Sequence, residues 1–402
     1  MMRKTIGLGF LLAFAACSST KSTTEVPGNV HFTMNVDVAA GAELFRCQFV
    51  TMPAGMSYVV AAAHHYTPGS HHMLLFRTDL STIPAGGDQI QDCYEGQGGT
   101  IMSHVRGVVY GSQVPDGSFE MPSGVAFQMA SQEVLLFQVH YLNATPNDIM
   151  AKVDVGLSTI TDGSSVPTKA GNLFYYDPFI DVPPQATTAK AGARCTLTSD
   201  ITLVNIFPHY HSRGYGYEAY MDPPGAAPSA QPFYTSTDWE HPAAYTGQPI
   251  QIKAGTAIRW NCDYQNPGTN EYFQGPSAAD NEMCMFTGLY YPAVDQNFEY
   301  CMQTMDSFGT GSATCSATTT CLQQCPAGSM PTFGAGMANV PDCYQKCFVA
   351  SCPSASTPLL NQFACIQQHC DAECNQGMGN CPNCVLANCG TEYQACQSHT
   401  CP

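Results

Sequence analysis

The number and placement of the cysteines constrain this chain more than any other feature of its sequence. Apart from Cys17, six of the 21 cysteines lie between Cys47 and Cys301, and fourteen lie between Cys315 and Cys401. The 20 cysteines other than Cys17 are an even number. An even and large number of cysteines is typical of exported proteins, in which cysteines form disulfides. The uneven distribution predicts a catalytic or binding body that is followed by a small disulfide-stapled module.

The N-terminal residues predict export and a lipid anchor. A positively charged start precedes the apolar stretch of residues 6–16, which is too short to span a bilayer as a helix. The stretch ends in Phe14-Ala15-Ala16-Cys17, which resembles a bacterial lipobox and predicts lipidation of Cys17. We interpret residues 1–17 as a lipoprotein signal peptide and residues 18–29 as a tether. This predicts anchoring to the bacterial cell envelope, at the outer membrane or cell surface; the alternative is a soluble secreted product.

The charge of the chain excludes two classes of partner. Its formal net charge is −17, which would repel both nucleic acids and anionic membranes. We therefore expect no nucleic-acid partner, and membrane contact only through the N-terminal lipid. Charged residues make up only 11 % of the chain, and Gly, Pro, Tyr and Phe are abundant, which is typical of a β-rich extracellular protein.

Short alternating segments predict an all-β body. In residues 134–141, Phe137, Val139 and Tyr141 share one face, and His140 lies on the other. Clusters of Gly, Pro, Asn and Asp separate such segments, as turns would. With a domain boundary in the polar stretch near residues 159–171, we predict two tandem β-sandwich (jelly-roll-like) domains. Their predicted ranges are residues 30–165 and residues 166–308.

Residues 309–402 have a different character. Their cysteines are mostly three to five residues apart, and spacings of three and four place thiols on one face of a helix. This predicts short helical hairpins that are stapled by disulfides. The alternative is a zinc site that includes Cys381 and Cys384, but fourteen thiols pair evenly and favour disulfides. The sequence does not indicate a binding partner for this module.

Three histidine motifs in the body are candidates for metal ligands. They are His71-His72, His140 and His209-Tyr210-His211. Residues two apart on a strand project to the same side, so His209 and His211 can bind one metal ion, although paired strand histidines are also common without one. Adjacent His71 and His72 would point to opposite faces unless the backbone is irregular, which Gly69 would allow. His140 alone also fits a hydrogen-bonded core histidine.

The order of the motifs resembles the copper type II, ascorbate-dependent monooxygenases. His-His-Met, Gln-Val-His-Tyr, His-x-His and Glu-Met-Cys before Tyr-Tyr-Pro follow one another within residues 43–301. The resemblance implies two copper ions per chain, and hydroxylation of a substrate C–H bond with O2 and ascorbate or another one-electron donor. It also implies that the two copper sites face each other across a solvent-filled cleft between two β-sandwich domains.

The resemblance assigns a role to six side chains. It implies that His71, His72 and His140 form an electron-storing copper site. It implies that His209, His211 and Met283 form the catalytic copper site, where oxygen and the substrate react. A thioether favours Cu(I), the state that must meet dioxygen. Met285, two residues from Met283, is the competing methionine.

The resemblance also implies three disulfides in the body. They are Cys47–Cys93, Cys195–Cys301 and Cys262–Cys284.

The substrate is expected to be a small neutral or apolar molecule. An amidating member of the family holds a substrate carboxylate with three polar side chains, and the matching positions here are Phe207, Met285 and Thr287. None of these can replace a bidentate arginine. The nearest cation is Arg213, which could serve a different anion. Two non-enzymatic alternatives stay open: a non-catalytic copper-binding surface lipoprotein, and a structural or adhesion protein.

Overall fold

The fold is taken from a computed structural model. It describes residues 26–94, 101–243, 245, 247–294, 296, 298–299, 305–326, 340–374 and 380–402. The predicted signal peptide, Cys17 and most of the predicted tether therefore lie outside the described residues, as does Cys301. No helix in the described part of the chain is long and apolar enough to cross a membrane.

The first domain consists of two sheets packed face to face. Its strands are β1 (Val30–Val38), β2 (Glu43–Thr51), β3 (Ser57–Tyr66), β4 (Ser70–Thr78), β5 (Gln91–Asp92), β6 (Val105–Ser112), β7 (Asp116–Glu120), β8 (Val125–Met129), β9 (Val134–Leu142), β10 (Ile149–Ile160) and β11 (Thr168–Lys169). One sheet has the order β1-β10-β3-β8-β11, with β7 also on β3, and the other has the order β5-β2-β9-β4-β6. Short 3-10 helices cover Met102–His104 and Gly163–Ser165.

Strand β9 shows why this sequence forms a sandwich. It lies between β2 and β4, so its backbone is paired on both sides. Phe137, Val139 and Tyr141 point into the core between the two sheets, while Leu136 joins a second apolar cluster on the outer face of its own sheet. The two-residue alternation that the sequence indicates is thus confirmed, and it directs His140 away from the main core.

The second domain repeats this plan. Its strands are β12 (Gly171–Tyr176), β13 (Asp181–Val182), β14 (Ala186–Thr196), β15 (Ile201–Tyr210), β16 (Gly214–Asp222), β17 (Tyr234–Ser236), β18 (Ile250–Ile252), β19 (Ala257–Asn266), β20 (Tyr272–Phe273), β21 (Cys284–Tyr291), β22 (Phe298–Glu299) and β23 (Met305–Ser307). The sheets β18-β15-β21-β12-β22 and β17-β16-β19-β14-β23 enclose a core around the fully buried Trp260 and Phe286, and β13 pairs with β20. The predicted all-β architecture is confirmed.

The C-terminal region is helical and rich in disulfides, as predicted. Its helices are α1 (Cys315–Gln323), α2 (Asp342–Ala350), α3 (Ser356–His369), α4 (Asp371–Cys374), α5 (Cys381–Asn388) and α6 (Gly390–Ser398), with a 3-10 helix at Pro353–Ala355. Its disulfides are Cys315–Cys396, Cys321–Cys347, Cys325–Cys343, Cys352–Cys401, Cys365–Cys389, Cys370–Cys384 and Cys374–Cys381. Cys381 and Cys384 are both oxidised, so they do not offer the thiolates that a zinc site needs.

The first part of this cysteine-rich region is continuous with the second domain. The ring of Phe348 on α2 packs 4.2 Å from the ring of Phe179, measured between centroids. Lys346 forms an ion pair with Glu271 at 2.6 Å. The core of the second domain therefore extends into α2 and does not end at the linker between the second domain and the cysteine-rich region.

Candidate metal centre

A β-bulge solves the geometric problem of the adjacent histidines. The register between β4 and β9 shifts between Ser70 and His72, so His72 stands opposite His140 and His71 is the extra residue. The preceding Gly69 has φ of 93°, in the left-handed region that favours glycine. A bulge bends its strand and can turn a side chain that would otherwise point away. Both adjacent imidazoles consequently reach the same side of the sheet as His140.

The three histidines of the first domain form a compact buried cluster. One ring nitrogen from each lies within 4.8 Å of the corresponding atoms of the other two. The residues are 3 % (His71), 8 % (His72) and 0 % (His140) exposed, and all three Nδ1 atoms are buried without a hydrogen-bond partner in the described structure. Buried polar atoms are nearly always paired, so three convergent unpaired ring nitrogens fit a metal ion.

The electrostatic environment keeps these rings in their metal-binding form. Burial lowers the pKa of all three imidazoles, that of His71 to about 2, so each is neutral at pH 7. Glu43 Oε1 lies 2.7 Å from His140 Nε2, which therefore carries the proton and leaves Nδ1 as the free lone pair. Burial acts to raise the pKa of Glu43, but the hydrogen bond from His140 and further donors lower it to about 2.

The His-x-His pair lies at the end of β15 and converges through its Nε2 atoms. The two Nε2 atoms of His209 and His211 are 3.2 Å apart. His209 Nδ1 lies 2.9 Å from Gln113 Oε1, and His211 Nδ1 lies 3.1 Å from the carbonyl oxygen of Asn281. Because each acceptor holds the proton on Nδ1, both Nε2 lone pairs are available on one side. Burial lowers the pKa of His211 to about 3 and that of His209 as well.

Met285 lies beside this pair, and Met283 precedes Met285 by two residues. Met285 on β21 stands directly opposite His209 in the ladder between β15 and β21. By the two-residue period of a strand, Met283 is expected on the same face, next to His211. Both methionines are buried, at 6 % exposure for Met283 and 4 % for Met285. The ladder thus places Met285 beside the His-x-His pair, while Met283 beside His211 stays a prediction from strand periodicity.

The second domain matches a known protein family in sequence. Residues 172–313 match the family model for the C-terminal domain of copper type II, ascorbate-dependent monooxygenases. The second domain is therefore similar to the C-terminal domain of this family. A human protein named putative DBH-like monooxygenase protein 2 is 24 % identical over 289 residues, which cover 64 % of this chain and 55 % of that protein. The chain therefore spans about half the length of the curated relative that it matches.

The histidine groups of the two domains adjoin. The ring centroids of His72 and His209 are 5.2 Å apart, and the ring of Trp239 lies 5.3 Å from that of His71. The expected solvent-filled cleft is therefore not seen between these residues. Contacts across the domain interface account for the difference. Gln113 of the first domain accepts a hydrogen bond from His209 through its Oε1 atom. The Nε2 atom of Gln113 donates to the carbonyl oxygen of Trp239 at 3.4 Å.

A buried ion pair lies next to the second group. Arg213 Nη1 contacts Glu282 Oε1 at 2.9 Å, and its guanidinium carbon stands 3.2 Å from the centroid of the Tyr272 ring. Burial raises the pKa of Glu282 to about 7, against the influence of Arg213. Arg213 is committed to this pair, so it is not the free anion-binding cation that the sequence suggested.

Two of the disulfides implied by the resemblance are present. Cys47 is joined to Cys93, and Cys262 to Cys284, directly after Met283. The expected partner of Cys195 is Cys301, which lies outside the described residues.

Sequence reasoning missed Glu43, Gln113 and Trp239, all of which contact the histidines. Glu43 lies diagonally across from His140 on the neighbouring strand β2, where Phe45 is directly opposite. This strand pairing joins residues 97 positions apart, so no local sequence pattern marks Glu43. Gln113 and Trp239 meet histidines of the opposite domain, so no local sequence pattern marks them.

Proposed function

We propose that this chain is a copper-dependent monooxygenase that hydroxylates a C–H bond of a small neutral or apolar substrate. O2 and ascorbate, or another one-electron donor, would be the co-substrates. The proposal is supported above all by His71, His72 and His140, which bring one ring nitrogen each within 4.8 Å of the others. The Nδ1 atom of each ring is buried without a hydrogen-bond partner in the described structure. These three would hold one copper ion, and His209, His211 and Met283 would hold the second.

The overall reaction balances with two external electrons. The substrate C–H bond and one O–O bond break, a C–OH bond forms, and the other oxygen atom leaves as water after uptake of two electrons and two protons. Two molecules of a one-electron donor such as ascorbate supply the electrons. Bound copper supplies the one-electron redox chemistry and the activation of dioxygen.

The residues of the chain prepare the ligands for this role. One ring nitrogen of each of three histidines donates a hydrogen bond to an oxygen atom, which belongs to Glu43, Gln113 or the backbone carbonyl of Asn281. Each bond fixes which nitrogen of the ring carries the proton and which faces the metal. Burial keeps the rings neutral, so copper does not compete with protons near pH 7. These hydrogen bonds therefore hold the histidine ligands in place before copper binds.

Side chains near the second group argue for a substrate without a carboxylate. Phe207 and Met285 are apolar, and the Thr287 hydroxyl donates to the carbonyl oxygen of Phe207. Arg213 is engaged by Glu282. A neutral or apolar molecule avoids the desolvation that an unpaired carboxylate would incur at this place.

The closeness of the two domains favours one alternative, a copper-binding protein without turnover. Trp239 packs against His71, and the histidines are largely buried, so a substrate must enter by separating these contacts. A chain that keeps this closed state would bind copper but hydroxylate nothing.

The test compares copper content and ascorbate-driven O2 uptake in the parent and in matched variants. His140→Ala and Met283→Ala remove proposed ligands, while His64→Ala and Met285→Ala remove a histidine and a methionine that are not. We expect two copper ions and O2 uptake in the parent, one fewer copper in His140→Ala, and lost O2 uptake in Met283→Ala. Bound copper without O2 uptake in the presence of any tested substrate would support the alternative of a copper-binding protein without turnover. No bound copper, or indifference to both ligand substitutions, would refute the proposed sites.

We also propose export and lipid anchoring at Cys17. The nine disulfides of the described residues fit an oxidising compartment. Labelling with a radioactive fatty acid should mark the parent and not Cys17→Ala. A labelled Cys17→Ala protein, or an unlabelled parent, would contradict the anchor.

A further inference from the structure

Glu43, at the start of β2, contacts both domains at once. Its Oε1 accepts from His140 Nε2 at 2.7 Å and from the backbone N–H of Ala278 at 2.9 Å. Its Oε2 accepts from the hydroxyl of Ser277 at 2.9 Å. His140 belongs to the first domain, while Ser277 and Ala278 belong to the second. One carboxylate therefore satisfies a candidate copper ligand and two donors on a loop across the interface.

On the first-domain side, Glu43 determines how the His140 ring is presented. The ring is stacked on Phe45, with centroids 3.9 Å apart and planes 15° from parallel. Stacking fixes the plane, but it does not distinguish the two ring nitrogens. The hydrogen bond to Glu43 does so, because it holds the proton on Nε2 and turns the Nδ1 lone pair toward His71 and His72.

On the second-domain side, the loop of residues 277–282 holds His211. Asn281 donates its backbone N–H to the carbonyl oxygen of Ser277 at 2.8 Å, and its own carbonyl accepts from His211 Nδ1. Ser212 adds a hydrogen bond to the carbonyl oxygen of Ala278 at 2.8 Å. A shift of Ser277 and Ala278 would therefore move the acceptor that orients His211.

We propose that Glu43 is a positioning residue that couples the two histidine groups. The inference rests on the proposed copper sites. The carboxylate orients His140 directly and His211 through the loop, so each ligand group reaches its geometry only when the two domains are docked. Loss of Glu43 leaves three donors without their acceptor and releases both groups together.

The experiment measures copper binding in the full-length exported protein, with copper alone as the probe. Glu43→Ala is compared with Glu43→Gln, whose amide oxygen can still accept from His140 and Ala278. Glu133→Ala is the matched control, since Glu133 is a carboxylate of the same domain that bonds Arg77 and the backbone of Ala130. Copper affinity at each site is read separately, by titration in a His211→Ala background and in a His140→Ala background.

We expect Glu43→Ala to weaken copper binding at both sites, by about 10–100-fold at the first. The Cu(II) electron paramagnetic resonance spectrum of the first site should change in Glu43→Ala and be restored in Glu43→Gln. Glu133→Ala should leave both affinities within about twofold of the parent, because it contacts neither group. Parental affinities in Glu43→Ala, or weakening of the first site alone, would overturn the coupling.

A copper-free measurement separates this inference from the proposed function. In the apo protein, hydrogen exchange at the amides of Ala278 and Asn281 should accelerate in Glu43→Ala and remain slow in Glu133→Ala. Unchanged exchange would refute the coupling even if copper binds. Faster exchange in a protein that binds no copper would refute the proposed function and keep the interdomain role of Glu43.

Discussion

Replacing Gln345 with alanine should destabilise the second domain, although Gln345 lies in the cysteine-rich region. This side chain on α2 is 1 % exposed. Its Oε1 accepts from the backbone N–H of Ile180 at 3.2 Å and of Gln274 at 2.9 Å. Its Nε2 donates to the carbonyl oxygen of Val340 at 2.8 Å. The alanine variant loses all three hydrogen bonds in a place that water does not reach easily.

The expected magnitude follows from the groups left unpaired. A buried donor or acceptor without a partner costs about 1–3 kcal/mol. Ile180 and Val340 are buried, whereas Gln274 is next to partly exposed residues and can be hydrated. Two unpaired groups and the lost methylene packing together give a decrease of about 3–6 kcal/mol in the free energy of unfolding.

The assay is guanidinium unfolding at fixed pH with disulfides intact, followed by fluorescence of the fully buried Trp260. Gln394→Ala is the control, because Gln394 is an exposed glutamine on α6 and its loss should change the free energy by less than about 0.5 kcal/mol. A change below about 1 kcal/mol in Gln345→Ala would refute the reasoning. It would mean that the cysteine-rich region folds as a unit separate from the second domain.

Three further predictions concern stability. Arg213→Leu removes the cation that pairs with buried Glu282, whose pKa is already raised to about 7, so the carboxyl takes up a proton in the variant. The lost hydrogen bonds should lower the free energy of unfolding by about 1–3 kcal/mol. Arg106→Leu, at an exposed ion pair, should change it by less than about 1 kcal/mol, and a larger effect of Arg106→Leu in urea unfolding would contradict this. Burial lowers the pKa of His64 in the folded state. The stabilisation of the folded state by neutral His64 is therefore present above pH 6.5 and is lost as the pH falls below this value. His64→Gln should therefore have a flatter stability profile between pH 7 and pH 5, by at most about 1.4 kcal/mol per pH unit, and a parental slope would argue against this role. Free copper at 100 times its dissociation constant should stabilise the folded protein by about 2.7 kcal/mol for each site that it fills. This would be seen as a higher melting temperature that a chelator reverses, and an unchanged melting temperature would count against specific binding.

Local periodicity was sufficient for the parts of the site that lie on regular strands. The two-residue period predicts that His209 and His211 share a face, and the ladder with β21 brings Met285 to that face. The same period places His140 away from the core between the sheets. The even number and close spacing of the cysteines similarly predicted a disulfide-stapled helical region.

The adjacent pair His71-His72 marks the limit of that reasoning. A strand pattern sends neighbours to opposite faces, and only the bulge opposite β9 lets both rings reach His140. Gly69 makes such a bulge possible, but whether it forms depends on how β4 pairs with its neighbour. That pairing joins residues about seventy positions apart, beyond the range of any local pattern.

The sequence alone determined the strand periodicity, the histidine motifs and the oxidised character of the tail, because each depends on residues within a few positions of one another. Tertiary structure alone decided that the two histidine groups adjoin, that Glu43 and Gln113 orient ligands, and that α2 completes the core of the second domain. These are contacts between segments 70 to more than 200 residues apart. Such contacts arise only when the packing of whole domains brings the segments together.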